Sequence, residues 1–324
     1  MKGKSKKIDY EKLSSELPPE NELIKQISLT SVKIWNTTIL KDDILKWLEN
    51  FKGLVYPIVY ERKLALWLLS NFVFYNESEV KHLCKLLFED YLHFKFKVSK
   101  REGKSSEELY EEILQKTRFY HLGKAGESSG YVLYYFRQEN DLPIKRFVSK
   151  IKDLPQVVEN VVFVDDVSLS FGDKPSGGSK NQSLKYINQL RDEETSLKDK
   201  EIYLLSFIAT KGAIDYLAEN DVKVISPIIL DDTEKCFSSS SRVFIDFSKH
   251  NARCKKFAHS YGKSIKTNHP LGYNDGQFLF GFFYNTPDNT LPIFWSQENN
   301  WIPIIKRYHK NYRNNKLKEL GRFV

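Results

Sequence analysis

The chain has 324 residues, of which 41% are hydrophobic and 28% are charged, and this composition is typical of a folded globular protein of one or two domains. No apolar run reaches the roughly 18 residues that a membrane-spanning helix requires, so the sequence predicts no membrane span. The 50 Lys and Arg residues exceed the 42 Asp and Glu residues, and the net charge of +8 excludes a strongly acidic protein.

The three cysteines, Cys84, Cys236 and Cys254, lie far apart and do not match the paired spacing of zinc or redox motifs. We expect reduced thiols in a cytoplasmic protein, since no apolar stretch typical of a signal peptide follows the first lysines. Basic residues crowd both ends of the sequence. They could attract nucleic acid or phosphorylated ligands, although a solvated surface is the simpler interpretation.

The first 117 residues divide into a polar segment and a helical segment. Residues 1–35 are polar, and Pro18 and Pro19 predict a break in any helix there, so we interpret this segment as a polar N-terminal extension. Residues 36–117 predict a helical N-terminal subdomain, which could be a winged-helix domain or a simple bundle that supports the next domain. Its clearest helical spacing of apolar residues comprises Val80, Leu83, Cys84, Leu87 and Phe88.

Beyond residue 117, strand-like runs alternate with helical patterns. The segments RFYHLG, NVVFVDDV, EIYLLSFIA and VKVISPIIL predict strands, and the segments between them predict helices. Continuous β-branched runs that alternate with helices indicate a parallel sheet with helices on both faces. We therefore predict an α/β domain over residues 118–312, with further aromatic strands at QFLFGFFYN and LPIFWS. A basic C-terminal tail over residues 313–324 follows, and one or two basic helices are expected from IPIIKR onward.

Asp165 and Asp166 follow four apolar residues in VVFVDD, so we expect the strand to end at them and to place both carboxylates at its carboxyl edge. Ligands of parallel sheets bind at that edge, and two carboxylates suit ribose hydroxyls or a Mg²⁺-bound diol. A Ser/Gly loop, VSLSFGDKPSGGSKNQ, leads from the acids into a predicted helix. Such a loop presents backbone N–H groups to a phosphate, and the whole segment predicts a phosphosugar-binding site.

Two other phosphate-binding motifs are excluded. Gly172 and Gly177 have the separation of a Walker A loop, but Gly178 stands where that motif requires Lys. The GxGxxG pattern of a dinucleotide-binding fold is absent as well.

The run VVFVDD and its Ser/Gly loop resemble the signature of type I phosphoribosyltransferases. The segment LGYNDGQFLFGFFYNTPDNTLPIFWS, followed by WIPIIKR, is similar to the C-terminal block of PRTase-CE, a phosphoribosyltransferase-like family of bacterial conflict and antiphage defence systems. DDILKWLENF and FYHLGKAGESSGYVLYYFRQEN also resemble that family. The resemblance covers most of residues 40–312 and is most specific around Asn285–Trp295.

This resemblance implies an α/β, type I phosphoribosyltransferase-like fold and a toxic, retron-type effector with glycosyltransferase activity. The expected ligands are phosphoribosyl pyrophosphate or a related nucleotide, and Mg²⁺. Asp165 and Asp166 would hold the ribose hydroxyls and meet the metal only indirectly, through Mg²⁺-bound substrate. A retron reverse transcriptase with its RNA–DNA hybrid, or another defence protein, is an expected partner. The alternative is an inactive fold that senses nucleotides or binds nucleic acid.

Two segments of the loop are alternative candidates for binding the 5-phosphate. Directly after the acids, Phe171 stands where a small residue would let the backbone approach a phosphate. Alternatively the loop is extended and the cradle forms immediately before the helix, which is the interpretation that we favour. The candidate phosphate-loop residues are Ser170, Ser176, Gly177, Gly178, Ser179 and Lys180.

Other candidates flank this core. The pyrophosphate side is assigned to an earlier loop, where a helix cap formed by a serine is an equal alternative; the residues are Lys124, Gly126, Ser128 and Ser129. The acceptor side is assigned to Lys211, Asn285, Trp295 and Arg307. Asp231 and Asp232 form a second acid pair at a predicted strand end, for which a helix cap is the simpler interpretation.

Overall fold

The computed structural model describes residues 8–99, 103–123, 128–174, 178–265, 268–305 and 307. In chain order its longer elements are α1 (Tyr10–Glu16), α2 (Glu20–Lys33), α3 (Lys41–Leu48), α4 (Ile58–Ser70), β1 (Val73–Tyr75), α5 (Glu77–Val98), α6 (Ser106–Gln115), β2 (Thr117–His121), α7 (Ser128–Glu139), β3 (Asn160–Ser168), α8 (Gln182–Glu193), β4 (Glu201–Thr210), α9 (Lys211–Ala218), β5 (Val222–Ile225), β6 (Ile228–Leu230), α10 (Ser248–Ser264) and β7 (Phe280–Phe282). Among these residues, no helix is both long and apolar enough to cross a bilayer.

The chain divides into two compact units. Glu77–Arg242 forms one, which we call the sheet unit, and the segments up to Asn76 and from Val243 together form the other, which we call the split unit. The limits of these compact units, after residues 76 and 242, differ from the domain boundaries that the sequence predicted after residues 35, 117 and 312. Those domain boundaries stay predictions.

The sheet unit contains five parallel strands in the order β2–β3–β4–β5, and β6 pairs with β4 beyond the end of β5. Helices cover both faces, as the continuous apolar runs predicted. On one face Val161 and Phe163 pack with Leu184 of α8 and Leu217 of α9. On the other, Phe119 of β2 packs against aromatic rings of α5 and α7, namely Phe88 and Phe136. The predicted α/β fold class is confirmed.

One detail of β3 differs from the prediction. The strand does not end at Asp165 and Asp166 but continues to Ser168, because Val167 and Ser168 still pair with Ile208 and Ala209 of the longer strand β4. The acids are therefore the sixth and seventh of nine strand residues.

In the split unit, helices α1 to α4 and α10 accompany a two-stranded parallel pairing of β1 with β7. Pro18 and Pro19 separate α1 from α2 rather than preventing helices, because a proline beside the first helical turn removes an N–H that has no intrahelical partner. The extension predicted for residues 1–35 thus contains two helices, and Leu23, Ile24 and Ile27 of α2 are buried.

The aromatic segments of the split unit are less regular than predicted. QFLFGFFYN contributes only the three residues Phe280–Phe282 to a strand. LPIFWS forms turns, in which Trp295 N–H and Ser296 N–H both donate to the carbonyl of Pro292 at 3.2 and 2.9 Å. No helix forms over residues 302–305, and the rest of the predicted basic helices and tail lies outside the described residues apart from Arg307.

A polar network around the buried Lys95 lies at the amino ends of the strands of the sheet. Lys95 of α5 is only 8% exposed, and its Nζ donates to Asn160 at 2.9 Å and to Glu201 at 3.3 Å. Tyr203 and Lys223 also donate to the Glu201 carboxylate, at 2.5 and 2.6 Å. Burial acts to raise the pKa of Glu201, but the hydrogen bonds from Lys223, Tyr203 and Lys95 outweigh it and lower the pKa to about 2.

We expect Glu201→Gln to reduce stability at pH 7 more than at pH 3. The folded-state pKa lies below the ordinary value of 4.5, so the carboxylate stabilises the fold above pH 4.5, and this contribution is lost as the pH falls toward about 2. The measurement is the urea midpoint of both proteins at the two pH values. Glu89→Gln, at an exposed position of α5, is the control. An equal loss at pH 7 and pH 3 would contradict the assignment.

Candidate functional site

The acid pair lies at the carboxyl edge of the sheet with its two side chains on opposite faces. Successive side chains of a strand alternate, so Asp165 shares the face of Phe163, under α8 and α9, and Asp166 shares the face of Val164. Asp166 is buried and Asp165 is half-buried. The backbone N–H of Asp166 donates to Asp165 Oδ1 at 3.0 Å. The two carboxylates could therefore bind different parts of one ligand.

The loop between β2 and α7 begins beside the acid pair, because His121 at the end of β2 pairs with Val164 of β3. The hydroxyl of Ser129, which is buried, donates to the carbonyl of Leu122 and ties the start of α7 to the end of β2. Its side chain thus closes the base of this loop. Ser128 is the first residue of α7. Of the other residues predicted for the pyrophosphate side, Lys124 and Gly126 lie outside the described part of the chain.

The loop between β3 and α8 is closed by Asn181, which is only 2% exposed. Its Oδ1 accepts from Leu184 N–H at 2.9 Å and caps α8, while its Nδ2 donates to the carbonyl of Ser170 at 2.6 Å and to Ser168 Oγ at 3.3 Å. Its own N–H donates to Ser179 Oγ at 2.9 Å. Ser170 and Ser179, which belong to the two competing phosphate segments, therefore meet at the start of α8.

Between these anchors the loop forms a short hairpin. Lys180 N–H donates to Gly172 O and Lys174 N–H donates to Gly178 O, both at 2.9 Å. Gly172 and Gly178 have φ values of 78° and 83°, a region that favours glycine. Gly178 and Ser179 are on the returning arm, whereas Ser176 and Gly177 lie outside the described residues.

A third element reaches the same edge. Helix α9 starts directly after β4, and Thr210 caps it by accepting from Ala213 N–H at 3.1 Å. The Thr210 hydroxyl also donates to the carbonyl of Leu169 at 3.2 Å, which joins the end of β4 to the loop after β3. Lys211, the first residue of α9, is exposed beside this contact. The edge thus brings together the acid pair, the starts of α7, α8 and α9, and Lys211.

Comparison with known proteins identifies the family. The family model PRTase-CE matches residues 44–307, which is well over half of the chain. The chain belongs to the PRTase-CE family. No curated protein and no solved structure matches it. The resemblance predicted from the C-terminal block and the VVFVDD run is therefore confirmed, and the protein is phosphoribosyltransferase-like.

Asn181 and Thr210 are site-forming residues of this PRTase-CE chain that the sequence interpretation missed. A signal was available, because Asn precedes QSLKYINQL and Thr precedes KGAIDYL, and both residue types are preferred at helix N-caps. What no local pattern indicates is the second contact of each side chain, which reaches back across the loop to Ser170 or Leu169.

The second acid pair of the PRTase-CE chain forms a local turn. Asp231 Oδ1 accepts from Thr233 N–H at 2.8 Å and from Thr233 Oγ1 at 2.6 Å, and these hydrogen bonds lower the pKa of Asp231. Asp231 and Asp232 are both exposed, and a turn rather than the predicted helix follows them.

The C-terminal candidates belong to the split unit. Asn285 lies in a tight turn in which its N–H donates to the carbonyl of Phe282 at 3.1 Å. The indole N–H of Trp295 donates to the carbonyl of Thr290 at 2.9 Å, and the guanidinium of Arg307 lies 4.8 Å from the centre of the Trp295 ring. Arg307 thus lies against Trp295, and the place of these residues on the acceptor side of the PRTase-CE site stays a prediction.

We expect Asn181→Ala to destabilise the sheet unit by about 2 kcal/mol, because it removes both the cap of α8 and the closure of the loop. Asn181→Asp keeps the capping oxygen but loses the amide donors to Ser170 and Ser168, so its loss should be smaller. Urea unfolding followed by circular dichroism measures both. An Asp variant as unstable as the Ala variant would contradict the separate role of the cap.

Proposed function

We propose that this protein binds phosphoribosyl pyrophosphate or a related nucleotide at the carboxyl edge of its sheet and transfers or cleaves the phosphoribosyl group. The proposal extends to a toxic effector role in a bacterial antiphage defence system of the retron type. The observation that supports it is the position of Asp165 and Asp166, which lie between the loop that leads into α7 and the loop that leads into α8. Ligands of parallel sheets bind at such a carboxyl edge.

Each part of the site has a role in this proposal. Asp165 and Asp166 accept hydrogen bonds from the ribose hydroxyls. Backbone N–H groups at the start of α8, near Ser170 and Ser179, hold the 5-phosphate. The loop that leads into α7 holds the pyrophosphate, and Lys211 adds positive charge at the same edge.

The reaction itself is a displacement at C1 of the ribose. The bond between C1 and the pyrophosphate oxygen breaks, and its electron pair leaves with the pyrophosphate. An acceptor with a lone pair then forms a new bond to C1 and loses a proton, and with water as acceptor the reaction is a cleavage. Hydrogen-bond donors on the leaving pyrophosphate lower the barrier, because negative charge develops there.

Mg²⁺ is part of the proposal. Carboxylate oxygens are suitable ligands, but the described residues contain no group of three or more His, Cys, Asp or Glu side chains that could hold a metal. In the proposal, Asp165 and Asp166 therefore meet the cation only indirectly, through the ribose hydroxyls of the Mg²⁺-bound substrate, and the cation takes its oxygen ligands from that substrate and from water. Bound in this way, it would neutralise charge on the leaving group.

A second candidate function is a catalytically inactive fold that senses nucleotides or binds nucleic acid. The observation that favours it is Phe171, which occupies the loop position where a small residue would let the backbone approach a phosphate. In that case the ligand would bind and no pyrophosphate would be released. A retron reverse transcriptase with its RNA–DNA hybrid, or another defence protein, is the proposed partner in either case.

The decisive experiment incubates the full chain with labelled phosphoribosyl pyrophosphate, Mg²⁺ and a mixture of bases and nucleotides. Release of pyrophosphate that stops on addition of EDTA would support catalysis. Saturable binding without release would support the sensor. Neither binding nor release, by protein with a cooperative unfolding transition, would refute both catalysis and nucleotide sensing. A growth assay of bacteria that carry the intact defence system, with and without the Asp165→Asn/Asp166→Asn replacement, tests the effector role separately.

A further inference from the structure

The aromatic ring of Phe171 lies on the first turn of α9 at the carboxyl edge of the sheet. A Cβ atom built on Gly212 would come within 2.8 to 3.0 Å of three ring atoms of Phe171, so the ring rests directly against the helix where Gly212 has no side chain. Phe171 is nevertheless 42% exposed. It stands five positions after Asp166, at the edge where the helix starts converge.

The segment that carries this ring is held in place on both sides. Before the ring, the carbonyl of Ser170 accepts from Asn181 Nδ2 at 2.6 Å. After it, Asp173 Oδ1 accepts a hydrogen bond from the hydroxyl of Tyr216 at 2.5 Å. Tyr216 lies on α9, one helical turn after Gly212. The ring is thus ordered by its neighbours before any ligand arrives, so little additional ordering would be required on binding.

We propose that Phe171 is a stacking platform for the nucleobase of the ligand or acceptor. The inference rests on the proposed function, because that function places a phosphoribosyl group beside Asp165 and Asp166, and a planar base is what a phosphoribosyl group carries or accepts at C1. A phenyl ring that is fixed on one side and exposed on the other offers a flat apolar surface, and bases stack on such surfaces with little sequence preference. In this proposal Phe171 binds the ligand, and its large side chain in the phosphate loop has a function.

The alternative is that Phe171 only anchors the loop on α9. Phe171→Leu separates the two roles, because leucine is apolar and large enough to cover Gly212 but has no planar ring. Phe171→Trp is the matched conservative variant, since it keeps a planar ring. Thermal unfolding of each variant establishes that the fold is retained.

The experiment measures, by titration calorimetry, the affinities of the full chain for ribose 5-phosphate and for AMP, GMP, CMP and UMP. For the native protein we expect at least one nucleotide to bind about tenfold or more tightly than ribose 5-phosphate. Phe171→Leu should abolish this preference and leave the affinity for ribose 5-phosphate within about twofold, while Phe171→Trp should keep the preference.

Gly212→Ala provides an independent test of the stacking role of Phe171. Alanine favours a helix more than glycine does, so α9 should not be weakened, but the new methyl group displaces the Phe171 ring. We expect the same loss of nucleotide preference as with Phe171→Leu, and no further loss when the two replacements are combined.

The outcomes distinguish this inference from the function on which it rests. If the native protein binds ribose 5-phosphate but Phe171→Leu retains the full nucleotide preference, or if the native protein shows no such preference, the stacking role is overturned and the phosphosugar site stands. If the native protein binds neither ribose 5-phosphate nor any nucleotide, the proposed site fails and the stacking role fails with it.

Discussion

Replacing Asp165 and Asp166 together with asparagine is expected to lower the rate of pyrophosphate release by at least about 100-fold while the protein stays folded. Asparagine has nearly the same shape, so the packing at buried Asp166 should survive. The loss arises because the negative charge that stabilises a positive centre at C1 is removed. In addition, each carboxylate exchanges one of its two acceptor oxygens for an amide group that can only donate. The measurement is the initial rate at saturating phosphoribosyl pyrophosphate.

The second acid pair provides the matched control for this experiment. Asp231 and Asp232 also follow a strand of the same sheet, but they are exposed and Asp231 caps a local turn. Asp231→Asn/Asp232→Asn should therefore leave the rate within about twofold. A similar loss in both double variants would indicate a general effect of charge and would contradict a specific role for Asp165 and Asp166.

Glu61→Ala is expected to destabilise the split unit by at least about 3 kcal/mol. The carboxylate is 0% exposed and accepts from three backbone N–H groups, those of Gly53, Val55 and Tyr56, at 2.8, 2.6 and 2.9 Å. It also accepts from the hydroxyl of Tyr261 at 2.5 Å. Alanine would leave these four donors without their acceptor around a side chain that is fully buried, and a buried donor without a partner costs about 1 to 3 kcal/mol.

The measurement is the free energy of unfolding in urea, with fluorescence as the probe. Glu49→Ala is the control, because Glu49 is exposed at the end of α3 in the same unit and its replacement should change stability by less than about 0.5 kcal/mol. If Glu61→Ala costs less than about 1 kcal/mol, water must replace the carboxylate, and the hydrogen-bond interpretation of this turn would be wrong.

The sequence by itself determined the type of fold and the location of the acid pair. Strands that are buried on both faces need apolar side chains at every position, so VVFV and YLLSFIA could be identified as central strands of a parallel sheet from their composition alone. Local signals also predicted most helices correctly. The family resemblance was visible too, because it depends on the order of residues and not on their contacts.

Local patterns were less reliable where long-range contacts decide the structure. Strand β3 extends past the acids because its partner β4 is longer, and LPIFWS turns at Pro292 although its aromatic residues favour a strand. The pairing of β1 with β7 joins segments about 200 residues apart, and nothing in either segment indicates the other.

Only the tertiary structure decided how the candidate site is arranged. It shows that Asp165 and Asp166 lie on opposite faces of the sheet, that Asn181 joins both ends of the phosphate loop, and that Phe171 rests on Gly212. The physical reason is that each of these relations depends on where separate elements end and which side chains then meet. VVFVDD thus identifies the edge at which a ligand is expected, whereas the packing of α8 and α9 determines what surrounds it.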